Sequence, residues 1–520
     1  MKQVLFGTLA VLAVLFLTGC DNKDTPVRTS LNVDTSTLTL AVGESATRTA
    51  TTKAQWDYQI TYTSSNPAVA TVDQTGKVTA VSEGEAVITV EMAESIKSWY
   101  AAATLTYNVV VKKAGSDDDG GATVTDLSMV NNAGGARSTM STANCYMVHT
   151  AGDYKLPLVY GNAIKNGAAN SAAWTGVSGQ LATFTNHAGK NITDPWIKNN
   201  KDESDNDIVV STAELLWQDA QGLITKVGIS GDYLTLTVGK DATTQQGNAL
   251  VAAKDAGGNI VWSWHIWVTK ETFADARLTT VTTGTGTLGT DYQIYKVTPV
   301  NLGWVPTGGD GKQGYAPYYQ WGRKDAFIPG TWNANTDHTV YNISNATVTG
   351  LAYTGSTTAT IADNIKNPTT FYHISGYYGP CKTTYYNMWD AKQTGSGNIT
   401  TATKKTVYDP CPAGFCVPTG NLYYFMCNNG SSRSMGTWDD ANKGATWNTS
   451  ITGNALFFPA SGYRSYSSGT LYNVGSDGYY WSASPKSISD GHNLLFNSSI
   501  WNWNNDDRAL GCPVRAVAEE

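Results

Sequence analysis

The sequence predicts a mainly β, multidomain protein, and three observations support this fold class. Short runs of alternating apolar and polar residues recur between turn residues about every ten positions in the first part of the chain. Glycine (51), tyrosine (28) and tryptophan (17) are abundant, which fits strands joined by polar turns. No long stretch places apolar residues at helical spacing. At 520 residues, the chain has room for about three or four domains.

The first twenty residues have the pattern of an export signal. Lys2 precedes an apolar run from Val4 to Leu17, which at about 14 residues is shorter than the roughly 20 that span a bilayer. The run ends in Leu17-Thr18-Gly19-Cys20, which resembles the bacterial lipoprotein box. The resemblance implies a signal peptide at 1–19, cleavage before Cys20 and acylation of that cysteine. Residues 20–29 would then form a tether.

The residues after Cys20 bear on localisation. Residues 21–24 read Asp-Asn-Lys-Asp, which is similar to the acidic segment that follows the cysteine in surface lipoproteins of the Bacteroides group. That resemblance implies a lipid-anchored outer-membrane protein at the cell surface. A plain solvated tether is the alternative, and the sequence leaves open whether the chain faces the surface or the periplasm.

Charge and motif content favour a binding protein. The formal net charge of −7 is opposite to the basic surface that nucleic acid requires, so no nucleic-acid partner is expected. The six histidines lie in no recognised catalytic pattern, and the sequence has neither a Gly-x-Ser-x-Gly elbow nor a phosphate-binding loop. We therefore expect no enzyme and no cofactor, with calcium the one ion that the polar clusters could bind.

Residues 30–113 are predicted to form the first domain, a sandwich of short alternating strands. Four pieces carry a family resemblance through their order and spacing: Leu38 to Glu44, Ser64 to Val72, Gly76 to Ala80, and Gly84 to Val90. They resemble the bacterial Ig-like group 2 family. The resemblance implies an Ig-like β-sandwich that serves as a spacer or adhesion module.

A linker at 114–123 follows, and residues 124–275 are predicted to form a second β-sandwich. The linker contains Asp117, Asp118 and Asp119, which suit a flexible solvated segment better than a calcium site. The second segment is similar to a β-sandwich that precedes the next module in surface proteins of the Bacteroides group. We therefore expect this segment to form its own domain.

The last strand-like run of that segment, at 260–268, carries three tryptophans. By strand alternation Trp262 and Trp264 point one way, whereas His265 and Trp267 point the other. The tryptophans could form a sugar-stacking platform, but core filling is the favoured interpretation. His265 is expected to be a structural histidine.

Residues 276–520 carry an ordered series of motifs. The motifs are Tyr318 to Asp325, Asp409 to Phe415, Ser461 to Arg464, Gly478 to Ser484, and Pro513 to Arg515. The series resembles the Fibrobacter succinogenes major paralogous domain family. The resemblance implies a C-type-lectin-like α+β module that is rich in loops. The segment departs from the family at Phe415, where the family has tryptophan, and at Ala516, where it has cysteine.

The cysteines other than Cys20 are open to two interpretations. An exported protein can form disulfides, and buried reduced thiols are the alternative. The disulfide candidates are Cys381, Cys411, Cys416, Cys427 and Cys512. The departure at Ala516 leaves open which cysteine would pair with Cys411.

A polar cluster near the C-terminus is the candidate ligand site. It reads Trp-Asn-Trp-Asn-Asn-Asp-Asp-Arg from Trp501 to Arg508. Tryptophan rings can stack on sugars, and hard oxygen ligands suit calcium, for which Asn504 and Asp506 are the candidates. A polar hairpin turn is the alternative. The predicted ligand-binding residues are Trp501, Trp503, Asn504, Asp506 and Asp507.

These features favour a surface adhesin that binds a glycan or a protein through a module on an Ig-like stalk. The expected partners are the membrane, through the N-terminal lipid, and a host or dietary glycan or surface protein. One alternative is an accessory or tip subunit of a fimbria. The other is a sulfatase-modifying-factor-like enzyme, for which Cys416 and Cys427 would be the reactive pair, although nothing in the sequence indicates a lowered thiol pKa.

Overall fold

The computed structural model describes residues 28–112, 124–175, 184–283, 294–348, 351–356, 358–374, 380, 385–396, 402–427, 436–447, 451–452 and 455–520. The chain divides into two compact units between residues 122 and 123, within the predicted linker. Cys20 and Cys381 lie outside the described residues. The predicted mainly β, multidomain fold class is confirmed.

The first unit is the predicted Ig-like β-sandwich. One sheet has the order β1-β7-β6-β3, with β1 parallel to β7, and the other has the order β2-β5-β4. Alternate residues such as Ile88 and Val90 of β6, and Val109 of β7, are fully buried between the sheets. The strands are β1 Leu38–Ala41, β2 Ser45–Thr47, β3 Ile60–Ser64, β4 Ala70–Val72, β5 Lys77–Ala80, β6 Gly84–Met92 and β7 Ala103–Lys112.

The second unit begins with two four-stranded sheets, as expected for the second sandwich. Their orders are β14-β15-β10-β8 and β13-β16-β17-β9. The strands are β8 Thr125–Asp126, β9 Cys145–Val148, β10 Gly152–Pro157, β11 Ile164–Lys165, β12 Ala168–Ala169, β13 Val210–Gln218, β14 Ile224–Ser230, β15 Tyr233–Val238, β16 Gly247–Asp255 and β17 Ile260–Val268.

The remainder of the second unit has short strands, two short helices and long connections. Helix α1 begins with a capping box, in which Thr360 and Asp363 satisfy each other's backbone N–H groups. The elements are β18 Thr279–Thr282, β19 Ile294–Val297, β20 Val305–Gly308, β21 Gln313–Tyr315, β22 Tyr319–Gln320, β23 Ala352–Ser356, α1 Ile361–Lys366, β24 Thr370–Ile374, β25 Phe415–Cys416, α2 Gly420–Met426, β26 Thr437–Asp439, β27 Gly444–Trp447, β28 Ile451–Thr452, β29 Leu456–Pro459, β30 Tyr463–Arg464, β31 Leu471–Tyr472, β32 Asp477–Pro485, β33 Asp490–Asn497, β34 Trp501–Asp507, β35 Gly511–Cys512 and β36 Val517–Ala518.

One hydrophobic core spans the predicted boundary between residues 275 and 276. The core runs from Leu127 to Ala516, so both sequence segments contribute to it, and residues 123–520 form a single compact unit. A second core lies wholly within the C-terminal segment. The sandwich segment therefore shares its core with the C-terminal segment, which has a further core of its own. Their assignment to separate domain families stays a prediction.

Strand β17 shows why the segments share a core. Trp262, Trp264 and Trp267 are all fully buried, which confirms the core interpretation. On the side that includes Trp267, its indole N–H donates to Trp304 O at 3.1 Å. On the same side the Ser263 hydroxyl donates to an Asp325 carboxylate oxygen at 2.6 Å. Both faces of β17 therefore need a covering layer, and residues 276–520 contribute to it at Trp267, through Trp304, and at Trp262, through Tyr408.

His265 has the structural role that the sequence predicts. Its Nε2 lies 2.8 Å from Asn248 Oδ1, and its Nδ1 lies 3.2 Å from the hydroxyl of Tyr319 in the C-terminal segment. Burial lowers the pKa of His265 to about 3, so the ring is neutral. A neutral imidazole with both nitrogens paired joins the two segments without a buried charge.

Asn144 forms a second buried junction. Its amide nitrogen donates to Val407 O at 2.7 Å and to Asp409 O at 2.8 Å, and its carbonyl oxygen accepts from Trp262 Nε1 at 3.0 Å. Three groups from distant parts of the chain thus depend on one buried side chain, because unpaired polar groups in the core cost free energy.

We predict that Asn144→Ala lowers the free energy of unfolding of the second unit by about 3 kcal/mol, because three buried polar groups lose their partner. Urea unfolding followed by circular dichroism measures the change. The matched control is Asn199→Ala, since Asn199 is exposed; its change should stay below about 0.5 kcal/mol. Equal effects of the two substitutions would contradict the junction.

Candidate functional site

The predicted ligand cluster lies on β34, the edge strand of the β32-β33-β34 sheet. One face of this sheet packs into the C-terminal core through Tyr480, Leu494, Phe496 and Trp501, which are all buried. Residues directly opposite each other in antiparallel strands share a face, so the partners Tyr479, Leu495 and Asn502 lie on the other face. The candidate residues are therefore divided between two environments.

The prediction that Trp501 stacks on a ligand is wrong. Only 1% of its surface is exposed. Its ring stacks on Phe496 with centroids 4.8 Å apart and meets Phe458 edge-on at 5.7 Å. The hydrophobic effect places this large ring in the core, since strand alternation turns it to the same side as Phe496.

Trp503 lies on the same side of β34, two residues further along the strand. It stacks on His492 at 4.2 Å and meets Tyr424 edge-on at 6.2 Å, and it is half-buried. Burial lowers the pKa of His492 to about 4, so the stacked imidazole is neutral. One face of the Trp503 ring is thus occupied by the protein itself.

Asn504 and Asp506 lie on the opposite side from the tryptophans. The Asp506 Oδ2 atom accepts hydrogen bonds from the amide groups of Asn493 at 2.6 Å and Asn504 at 2.9 Å. Asn504 therefore directs its N–H toward the carboxylate that was its proposed calcium co-ligand. Within the described ranges, no three His, Cys, Asp or Glu side chains gather in a metal-ligating group.

Asp507 is a buried carboxyl on the tryptophan side of the strand. One oxygen accepts from Ala509 N at 2.9 Å, whereas Oδ2 is buried without a hydrogen-bond partner. Burial, together with the negative charges of Asp490 and Asp506, raises the pKa of Asp507 to about 8. It is a protonated structural carboxyl at neutral pH, and it does not face the same side as Asp506.

The structure assembles a different surface, which we call the tyrosine–asparagine face. It consists of Tyr463, Tyr472, Tyr479, Asn502 and Asn504. Tyr463 stacks on Tyr472 at 5.9 Å and meets Tyr479 edge-on at 4.7 Å, so the three rings form a row. Tyr472 is 46% exposed, and the other four are partly exposed. The face presents aromatic rings and, across Leu495 of β33, amide groups.

Strand pairing positions this row. Tyr463 of β30 lies directly opposite Tyr472 of β31, so their rings project together. Tyr479 belongs to β32, where it alternates with the buried Tyr480. Beyond Tyr472, Val474 and Gly475 line a shallow recess of about 10 Å³, which is no larger than a water molecule. The row therefore lies where two sheets meet, with a recess at its exposed end.

The tyrosine–asparagine face is acidic. Burial raises the pKa of both Tyr463 and Tyr479, and in each case the negative charge of Asp506 contributes to the increase. Asp477 contributes as well. Burial also raises the pKa of Asp506 itself, while its amide partners oppose that increase. Neutral ligands suit such a surface better than anionic ones.

Sequence analysis missed this face although the motifs contained it. Tyr463 and Tyr479 fall in the motifs Ser461 to Arg464 and Gly478 to Ser484, which carry the family resemblance and were not predicted to bind a ligand. The available signal was alternation in Gly478-Tyr479-Tyr480-Trp481, which turns neighbouring tyrosines to opposite sides. Only the register with β33 shows which of the two is exposed.

The disulfide prediction is wrong for the described cysteines. Cys145 and the four candidates Cys411, Cys416, Cys427 and Cys512 are buried free thiols. Burial raises the pKa of Cys416 and Cys427, which is the opposite of the lowered pKa that a nucleophilic thiol requires. Each thiol therefore behaves as a small apolar side chain.

The described helices, α1 and α2, have six and seven residues, and neither is long enough to cross a bilayer.

The comparisons with known proteins identify the first unit. The fold defines a bacterial Ig-like sandwich, and residues 27–95 match the family described as bacterial Ig-like domain (group 2). The match confirms that sequence resemblance. It ends before β7, the strand that completes the larger sheet. The comparison with curated proteins found no match.

Solved structures are similar only in part. Domains 4 and 5 of the S-layer protein SbsC are 18% identical, cover 46% of this chain and 96% of that chain, and give a TM-score of 0.14. Titin domains Z1Z2 are 10% identical, and the match covers 47% of this chain and 100% of that chain, with a TM-score of 0.13. The Bacteroides ovatus protein SGBP-B, solved with a mixed-linkage heptasaccharide, is 14% identical. That match covers 62% of this chain and 67% of that chain, also with a TM-score of 0.13. Scores this low carry no inference about function.

We predict that Trp501→Ala lowers the free energy of unfolding of the second unit by about 3–5 kcal/mol, because it leaves a cavity among aromatic rings. Trp503→Ala should cost only about 1 kcal/mol, since that ring is half-exposed. Urea unfolding measures both values. Unchanged stability of the Trp501→Ala protein would contradict the burial of this side chain.

We predict that Asp507 makes a contribution to stability that is lost as pH rises from about 4 to about 8. Its folded-state pKa of about 8 lies above the ordinary value of 3.8, so the folded protein keeps a proton that the unfolded chain releases across this window. Asp507→Asn should remove this loss, so its melting temperature at pH 9 relative to pH 5 should be higher than the same difference in the parent.

The control for that pH measurement is Asp310→Asn. Asp310 is exposed and has a positive φ, which asparagine tolerates, so the substitution should leave the pH dependence unchanged. Burial raises the pKa of Asp219 to about 7 and that of Asp409 to about 6, and it lowers the pKa of His265 to about 3 and that of His492 to about 4, so contributions of both signs remain in every variant. The informative quantity is the difference between Asp507→Asn and the parent; no difference would contradict the burial of this carboxyl.

Proposed function

We propose that the chain is a lipid-anchored outer-membrane protein, displayed at the cell surface, that binds neutral glycans through the tyrosine–asparagine face. The observation that carries the proposal is the row of Tyr463, Tyr472 and Tyr479, with the amide of Asn502 on the same sheet face. Aromatic rings pack on the C–H faces of sugar rings, and amides exchange hydrogen bonds with sugar hydroxyls.

The lipid anchor is supported by the sequence. The apolar run at 4–17 and Leu17-Thr18-Gly19-Cys20 match the lipoprotein pattern, and the acidic residues after Cys20 resemble those of surface lipoproteins from the Bacteroides group. The Ig-like unit that follows is a known type of spacer. These features support an anchored protein whose second unit carries the binding surface.

Electrostatics set the ligand class. Asp506 and Asp477 lie close to the tyrosine row, so sulfated or carboxylated glycans would meet like charge. Binding should not depend on calcium, because the Asp506 oxygen that could ligate the ion already accepts two amide hydrogen bonds. The proposal therefore concerns neutral glycans bound without a metal.

A non-catalytic role fits the chemistry of the buried thiols. A reactive cysteine pair needs an accessible thiolate, whereas Cys416 and Cys427 are buried with raised pKa values. We propose that the protein is not an enzyme. The fimbrial alternative and the assignment of the C-terminal segment to the major paralogous domain family stay predictions.

The test is a glycan array probed with the chain from residue 21, with and without calcium, followed by affinity measurements on the best ligand. We expect neutral glycans to bind. Tyr472→Ala or Tyr463→Ala should weaken binding at least about tenfold, since the stacking of one ligand ring on an aromatic side chain contributes about 1–3 kcal/mol. Chelation of calcium should leave the affinity unchanged.

The matched control is Tyr466→Ala. Tyr466 is also an exposed tyrosine of the second unit, at 37%, but it packs on His373 away from the row. It should bind like the parent. Equal losses for Tyr466→Ala and Tyr472→Ala, or strong binding that survives both row substitutions, would refute this location of the site.

A further inference from the structure

The Ig-like unit exposes a compact group of large apolar side chains. Within its described residues, five such side chains are exposed, and four of them lie in two loops. Trp56 and Tyr58 precede β3 and are 61% and 44% exposed. Ile96 and Trp99, in the β6–β7 connection, are 63% and 48% exposed. We call these four residues the aromatic patch.

Hydrogen bonds fix the two loops against each other. The Ser98 hydroxyl oxygen accepts from the backbone N–H groups of Gln55 and Trp56, both at 3.0 Å. Ser95 is fully buried, and its hydroxyl lies 2.6 Å from Trp56 O and 2.7 Å from Asp57 Oδ1. The patch is therefore a preorganised surface.

The backbone at Trp99 is held in an unfavourable conformation. Its φ is +61°, a left-handed value that bulky side chains rarely adopt. The pairing of Tyr100 with Ser95 holds the loop closed on either side of it. A strained residue thus carries an exposed ring, and such strain concentrates at functional positions.

The chain enters the unit beside the patch. Arg28, the first described residue, pairs with Tyr100, and its carbonyl oxygen accepts from Ala101 N at 2.7 Å. Cys20 precedes Arg28 by eight residues, which can span at most about 28 Å. A lipid on Cys20 would therefore keep this end of the unit within that distance of the bilayer.

The composition of the patch suits a membrane interface. Tryptophan and tyrosine favour the boundary between water and hydrocarbon, and an aliphatic side chain such as Ile96 adds apolar area. The nearby charges are balanced: Arg28, Lys53 and Lys97 are positive, whereas Asp57, Glu91 and Glu94 are negative. Contact would therefore come from apolar insertion and not from attraction to anionic lipid.

We propose that the aromatic patch docks on the surface of the bilayer in which the chain's own N-terminal lipid is anchored. This inference rests on the anchor at Cys20 that we propose above. The anchor gives the nearby lipid surface a high effective concentration, so a patch of four side chains suffices without strong intrinsic affinity. A glycan or protein partner would have no such advantage at this end of the unit.

Docking in this way orients the Ig-like unit. The patch lies where β6 ends at Met92, and Val81 lies near the start of β6, because Val81 N donates to Val69 O and Val69 packs on Gly84. The nine residues of β6 separate these ends by about 26 Å. Strand β7 runs antiparallel to β6, so the chain leaves the unit at the end away from the lipid.

A tethered-vesicle experiment tests the docking. In a Cys381→Ser chain, residues 1–20 are replaced by a hexahistidine segment that binds a nickel-chelating lipid. The vesicles contain phosphatidylethanolamine and phosphatidylglycerol. An environment-sensitive fluorophore is attached at Ile96→Cys or, as the control, at Val81→Cys. Both residues are exposed and β-branched, and they lie at opposite ends of the same unit.

We expect the fluorophore at residue 96 to shift to shorter wavelength and to be quenched by nitroxide lipids, while the fluorophore at residue 81 does neither. Adding Trp56→Ala and Trp99→Gly should reduce the shift by roughly half, in proportion to the apolar area removed. Glycine accepts the positive φ at residue 99, so this variant keeps the loop. High salt should have little effect, because the local charges balance.

No shift at residue 96, or equal shifts at residues 96 and 81, would overturn the docking proposal. So would a loss of glycan binding in the Trp56→Ala, Trp99→Gly protein, since that result would assign the patch to a glycan. Mass spectrometry of the natural chain separately tests acylation of Cys20. A chain without acyl groups would refute the anchor but would not alter the vesicle result, because the hexahistidine segment supplies the tether there.

Discussion

The burial of β17 on both faces is the constraint on which the second unit depends. A sheet that faces water on one side alternates apolar and polar residues, but this strand carries tryptophans on both sides. The indole N–H of Trp267 donates to Trp304 O, and the rings of Trp262 and Tyr408 stack with their centroids 6.0 Å apart. The C-terminal segment must therefore cover the sandwich for the sandwich to bury its own aromatic rings.

Polar contacts make that covering specific. Asn144, His265 and Ser263 each pair with groups from residues 276–520, and all three are buried. Lys324 donates to Ser263 O at 3.1 Å and lies 4.5 Å from the Trp262 ring, with Asp325 beside it. Such groups favour one relative arrangement of the segments, since any other leaves them unpaired in the core. The proposed glycan surface inherits its geometry from this rigid unit.

The two proposed surfaces differ in how the fold exposes them. The tyrosine–asparagine face lies on regular strands, so register and alternation fix its rings. The aromatic patch lies on loops, where the hydrogen bonds of buried Ser95 and the left-handed backbone of Trp99 fix the positions of the rings. The first surface combines rings with amides and negative charge, which suits a neutral glycan. The second combines rings with Ile96 and balanced charges, which suits a lipid interface.

The sequence predicted local structure better than long-range packing. The strands of the Ig-like unit followed from alternation and turns, and the buried role of His265 and the β17 tryptophans was foreseen. Trp501 was misjudged because alternation divides side chains into two sets without showing which set faces the core. The disulfide candidates failed because distances between cysteines depend on tertiary packing. The shared core had a signal in the sequence, namely large apolar residues on both sides of 260–268, but its partner lay far along the chain.

The central claim is that residues 124–275 cannot complete their core without residues 276–520. The most direct measurement is the cooperativity of unfolding of residues 124–275 expressed alone, followed by tryptophan fluorescence and circular dichroism. We predict exposed tryptophans and no cooperative transition for this fragment, while the complete second unit unfolds as one. A stable, cooperatively folding 124–275 fragment with buried tryptophans would contradict it.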